Sequence, residues 1–115
     1  MEDFNQFLPL SPAVLHILLA LSSEERHGYG IMQEVVRQSE GRYKLGPGTL
    51  YDNLQKLLEQ GIVGESPKGS SVEDPRRRYY KLTRFGRGLL STEITRLEGV
   101  VREAKLHLKP GPERA

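Results

Sequence analysis

Pro47-Gly48-Thr49-Leu50-Tyr51-Asp52-Asn53-Leu54-Gln55-Lys56-Leu57-Leu58-Glu59-Gln60-Gly61 is a stretch with two faces. A proline at the first helical position loses no hydrogen bond, and a glycine just past the end suits the left-handed stop of a helix. A helix is therefore predicted over 47–60. Leu50, Leu54, Leu57 and Leu58 follow the i, i+4, i+7, i+8 spacing of a buried stripe. Thr49, Asn53, Lys56 and Gln60 stand on the other side as small or polar groups able to make hydrogen bonds.

Towards the N-terminus, two more helices precede this one. Ser11-Pro12 is an N-cap followed by a first-turn proline. Ala13 to Leu21 is apolar nearly all round, which places that helix at the centre of a core. A second helix runs from Gly28-Tyr29 to about Ser39, with Ile31 and Val35 on its apolar side and Gly41 as its stop. Towards the C-terminus, Ile62-Val63 and Tyr79-Tyr80-Lys81-Leu82-Thr83 have strand composition. A loop from Gly64 to Pro75, rich in Gly, Ser, Pro and charge, separates them. Alternation puts Tyr80 and Leu82 on one face of the second strand and Tyr79 and Lys81 on the other. A last helix is predicted from Arg84 to about Leu108. Its residues Leu90, Ile94, Leu97, Val101, Ala104 and Leu108 are separated by 4, 3, 4, 3 and 4 positions, a heptad-type seam.

The fold class is thus mostly α with a small two-stranded β-hairpin: a winged helix-turn-helix over 1–83, a dimerisation helix over 84–108, and a disordered tail at 109–115. A length of 115 residues suits a single domain. The chain has no cysteine, so disulfides and thiolate metal sites are excluded. The acidic start and the lack of a long apolar run argue against a signal peptide and a membrane span.

The net charge of +2 conceals an asymmetry. Residues 1–41 sum to −4, 42–84 to +4 and 85–115 to +2. Cations gathered in the middle of a chain point to a polyanion. A reading helix needs one apolar face to seat it and one polar face for the major groove, and helix 47–60 has both. A wing needs cations to follow phosphates, which Lys68, Arg76, Arg77 and Arg78 supply. Candidate DNA contacts are therefore Thr49, Tyr51, Asn53, Lys56, Lys68, Arg76, Arg77 and Arg78. The candidate dimer interface is Leu90, Ile94, Leu97, Val101, Ala104 and Leu108. Each has a plainer alternative: the arginines as a solvated run, Tyr51 as a packing residue, the leucine stripe as an intrachain core. His27 reads as structural, because His16 and His107 lie at no metal-ligand spacing from it. No nucleophile motif, carboxylate pair or phosphate-binding loop points to catalysis. The rivals are a winged-helix protein-interaction module without DNA binding and a ligand-binding scaffold.

His27-Gly28-Tyr29, then Gly46-Pro47-Gly48-Thr49-Leu50-Tyr51, then Arg77-Arg78-Tyr79-Tyr80-Lys81-Leu82-Thr83 with Gly86 resemble the signature stretches of the PadR-like transcriptional regulators. The resemblance spans roughly residues 8–105 and is closest to the short branch with a single C-terminal helix. It implies a cytoplasmic dimeric repressor whose hold on DNA is lowered by a small-molecule effector. A two-fold axis calls for an inverted-repeat operator, an apolar groove suits a small hydrophobic or aromatic effector, and no cofactor is expected. The groove between the long helices and helix one of the partner is the expected effector site. One departure is Gly46, where the family often has serine. Glycine can still cap the helix but brings no hydroxyl to a phosphate.

Overall fold

A computed structural model describes residues 3–67 and 77–108. After a short 3-10 turn at Asn5–Phe7 come helix α1 (Pro12–Ser23), strand β1 (Arg26–His27), helices α2 (Gly28–Gln38) and α3 (Pro47–Glu59), strands β2 (Val63–Ser66) and β3 (Tyr79–Leu82), and helix α4 (Arg84–His107). The ends match the local chemistry. The Ser11 hydroxyl accepts the Val14 N–H at 3.2 Å. Gly61 closes α3 with a φ of 75°, a conformation that costs glycine little.

The expected hairpin is present and gains a third strand. The sheet order is β1-β3-β2, all antiparallel, with Val63 opposite Leu82 and Arg26 opposite Tyr80. Two residues are too short a segment to show alternation. What makes β1 a strand is the edge of β3, which lies open on that side. Along β3, Tyr80 and Leu82 are buried and Tyr79 and Lys81 half-buried, the alternation that the sequence prescribes.

The core is one cluster in which α1 is central: Ile17, Leu18 and Ala20 are fully buried, with Ile31 and Val35 from α2, Leu50, Leu54 and Leu57 from α3, and Leu89 and Leu90 from α4. Leu90 is a correction to the expected seam. At 6 % exposure it is committed to this core, and a side chain already covered has little left to offer a second subunit. The first part of α4, as far as Ile94, thus also packs against the domain that precedes it.

Two buried carboxylates tie the periphery down. Glu93, 1 % exposed, accepts the Leu10 N–H at 3.0 Å and the Arg96 Nε–H at 2.6 Å. It anchors the N-terminal segment, whose Phe4 and Phe7 pack against Phe85. Glu34, 9 % exposed, accepts from Arg37 Nη2 at 2.7 Å and from Gln38 Nε2 at 2.9 Å, with Arg26 Nη2 at 3.5 Å. The Arg37 guanidinium, helped by Gln38 and Arg26, holds the Glu34 carboxyl at about 2 against the opposing pull of burial.

A carboxylate depressed in the folded state contributes stability above its unfolded value, and that contribution disappears as pH falls through the folded value. A shift from 4.5 to about 2 corresponds to on the order of 3 kcal/mol. Urea unfolding should show the wild type losing this increment between pH 5 and 2, whereas Glu34→Gln, less stable at pH 7, should converge on it there. Parallel pH profiles for the two proteins would show that Glu34 is not the group that titrates.

Candidate nucleic-acid interface

Helix α3 is seated by its leucines, and the rest of its surface divides into flanks. Tyr51 and Asn53 are two residues apart, about 200° around a helix, so they leave on opposite sides. Asp52 and Glu59 are exposed on the outer surface between them, and Thr49 and Lys56 are exposed nearer Asn53.

Tyr51, 47 % exposed, leans towards the wing. It lines a cleft of about 530 Å³ together with His27, Gly28 and Tyr29 at the start of α2 and Arg77, Arg78 and Tyr80 at the base of β3. None of these described lining residues is acidic. The start of α2 is built by His27, whose Nδ1 accepts the Gly30 N–H at 3.1 Å as an N-cap, while its ring meets Tyr79 edge-on at 5.2 Å. Arg78 forms an ion pair with Glu65 across the hairpin, and its guanidinium holds the Glu65 carboxyl below the usual range. Burial pushes the Tyr80 phenol up.

Asn53 and Lys56 take the other flank. The Asn53 amide donates to the Thr49 carbonyl of its own helix at 2.8 Å. With Lys56 and Gln60 it borders a cavity of about 270 Å³ whose apolar wall includes Phe7, Leu10 and Val14. The predicted DNA-contact residues are thus not one patch: Tyr51, Arg77 and Arg78 converge, whereas Thr49, Asn53 and Lys56, at i, i+4 and i+7, lie across the helix. Lys68 and Arg76 lie outside the described residues, as does the tail at 109–115. The sequence reading missed the start of α2 as part of this surface. Its signal was Tyr29, a large aromatic side chain that is 61 % exposed, inside the His27-Gly28-Tyr29 stretch.

Of the expected dimer seam, Ile94 rests against the core and Leu97 is half-buried. Val101 is 49 % and Leu108 76 % exposed, and Ala104 is exposed. Val100 and Leu106 add further exposed apolar surface, at 51 % and 67 %. Among the described residues no cluster of His, Asp and Glu could hold a metal ion, and no helix is long and apolar enough to cross a membrane.

The model of the transcriptional regulator PadR-like family matches residues 15–92. The chain belongs to the PadR-like family. Transcriptional regulator Rv3488 of Mycobacterium tuberculosis is 35 % identical over 89 residues, covering 77 % of this chain and 78 % of that one. Among solved structures, a PadR family transcription regulator from Clostridium difficile superposes with a TM-score of 0.72 at 22 % identity, over 85 % of this chain and 99 % of the other. A PadR-like regulator from Bacillus cereus gives 0.71 at 21 % identity, over 85 % and 92 %. Both share the fold. The protein is accordingly a PadR-like transcription regulator, and the family is one of DNA-binding regulators rather than enzymes.

Proposed function

We propose that this PadR-like protein is a homodimeric, cytoplasmic repressor that binds an inverted-repeat operator and is released by a small hydrophobic or aromatic effector. The observation that carries the reading is the convergence of Tyr51, Arg77 and Arg78 with the start of α2 in one cleft between α3 and the wing. On this reading residues 1–83 bind DNA and 84–108 pair the subunits. Helix α3 enters the major groove, with Thr49, Asn53 and Lys56 towards base edges. Tyr51, Lys68, Arg76, Arg77 and Arg78 follow the phosphates. Ile94, Leu97, Val101, Ala104 and Leu108 pair with a second copy. The groove between the paired long helices and the partner's α1 takes the effector. A two-fold axis then sets half-sites about 10 base pairs apart, or a multiple of that.

Footprinting on the DNA upstream of the protein's own gene tests the reading, with two protected, inversely repeated half-sites as the expected result. Absence of protection there, together with no shift of random duplex at low salt, would remove DNA from the function. Arg77→Ala should weaken specific and random DNA about equally and lower the slope of log K against log salt by about 0.9, the value of one phosphate contact. An unchanged slope would take Arg77 off the backbone.

A further inference from the structure

Gly28 opens α2 and is buried, on a helix whose next residue, Tyr29, is exposed. A Cβ built on Gly28 would lie 2.0 Å from the Tyr51 Oη and 2.7 Å from its Cζ. The phenol of α3 therefore lies directly on the backbone at the N-terminus of α2, in space that any side chain would fill. Gly28 has no positive φ to require glycine, so close approach, not backbone conformation, is what this position needs.

We infer that Gly28 is a positioning residue for DNA binding: its missing side chain is the socket that holds the Tyr51 hydroxyl beside Arg77, Arg78 and the first N–H groups of α2, where a backbone phosphate is received. This inference rests on the proposed DNA-binding reading and adds to it the element that aims the tyrosine. A tyrosine on an exposed helix face has several rotamers, and fixing one before binding removes an ordering cost from the complex. The socket also ties α2 to α3 at the end of both helices that faces the wing, so the hydroxyl, the α2 N-terminus and the two arginines, Arg78 already paired with Glu65, line one concave surface. There a phosphate would take Arg77 directly and compete with Glu65 for Arg78.

The geometry also says what a methyl group would do. The atoms it meets belong to the far end of a side chain that is 47 % exposed. In Gly28→Ala the ring is therefore displaced into solvent and the backbone stays where it is. The fold survives while the tyrosine is lost from the site, which separates positioning from a structural role.

The test has two arms on the full-length protein. Without DNA, NMR of the wild type should give cross-relaxation between the Gly28 α protons and the Tyr51 ring ε protons. In Gly28→Ala, cross-relaxation from the new methyl group to that ring should be absent, with thermal unfolding close to that of the wild type. With operator DNA, Gly28→Ala and Tyr51→Ala should each weaken binding about tenfold, and the double variant should bind no worse than Tyr51→Ala alone. Losses that multiply to about a hundredfold in the double variant would overturn the inference, as would a Gly28→Ala protein that binds like the wild type. A wild type that shows the ring contact but binds no DNA would sink the proposed function instead, since the first arm reads the socket independently of DNA.

Discussion

On the proposed pairing through α4, the wild type should sediment as a dimer and a Leu97→Asp/Val101→Asp double variant as monomers at the same concentrations. In a two-fold pairing each substitution counts twice, so four apolar side chains leave the interface and four carboxylates face it. At about 1.5 kcal/mol or more per buried aliphatic side chain, the loss is at least about 6 kcal/mol, which is about 10⁴-fold in the dissociation constant. The cost of bringing like charges together adds to this. Val101 is 49 % exposed and contributes little to the monomer's own core, so the winged domain should keep its helical circular dichroism. Operator affinity should fall with dimerisation, because each half-site would then be bound alone. A double variant that stays dimeric would move the interface away from α4.

Gly86→Ala should be strongly destabilising. A Cβ there would sit 2.0 Å from the Ile62 carbonyl oxygen and 3.0 Å from its carbonyl carbon. These are backbone atoms at the entrance to β2, not the end of a side chain, so nothing can swing away. Helix α4 must lift off the domain, and it carries the buried Leu89 and Leu90 with it. Overpacking of this kind costs on the order of 3 kcal/mol, or about 12 °C or more in Tm for a domain of this size. Gly48→Ala is the control. Nothing lies within 4 Å of its Cβ position, and an added helix former stabilises by about 0.5–1 kcal/mol. Equal melting of the two variants would contradict the contact at Ile62.

How far the sequence was legible depends on where each signal resides. Helix ends are written locally: Ser11-Pro12, Pro47 and Gly61 mark boundaries because the groups they satisfy are one turn away. The third strand was not legible, since Arg26-His27 pairs only because β3 presents an edge to it. Leu90 shows the limit of spacing. A heptad interval states that a side chain is covered, not whether its own domain or a second subunit covers it. Asn53 shows the limit of a helical wheel, which separates polar from apolar positions but does not say that the wing lies on the Tyr51 side. Glu34 and Glu93 gave no signal of burial. Arg37 and Arg96 stand three residues on in the same helices, a spacing that reads as a solvated ion pair, and only the tertiary arrangement brings Arg26 to Glu34 and the Leu10 N–H to Glu93 and buries both acids. The N-terminal aromatics were likewise unread, because their partner Phe85 is about 80 positions away.

Thr83 stands at the corner between the turn that closes α3 and the start of α4. Its hydroxyl donates to the Gly61 carbonyl at 2.6 Å and accepts the Gly86 N–H at 2.9 Å, so the turn that closes α3 and the first turn of α4 share one side chain. Mechanically this is a clamped lever. The 24 residues of α4 are held by the core as far as Ile94, so the free arm from Thr95 to His107 is about 20 Å long at 1.5 Å per residue, and a tilt of about 10° sweeps its end through about 3 Å. The same ratio works in reverse. A displacement of a few ångströms at the far end of α4 arrives at Thr83 geared down to a small turn, a long handle on a short grip.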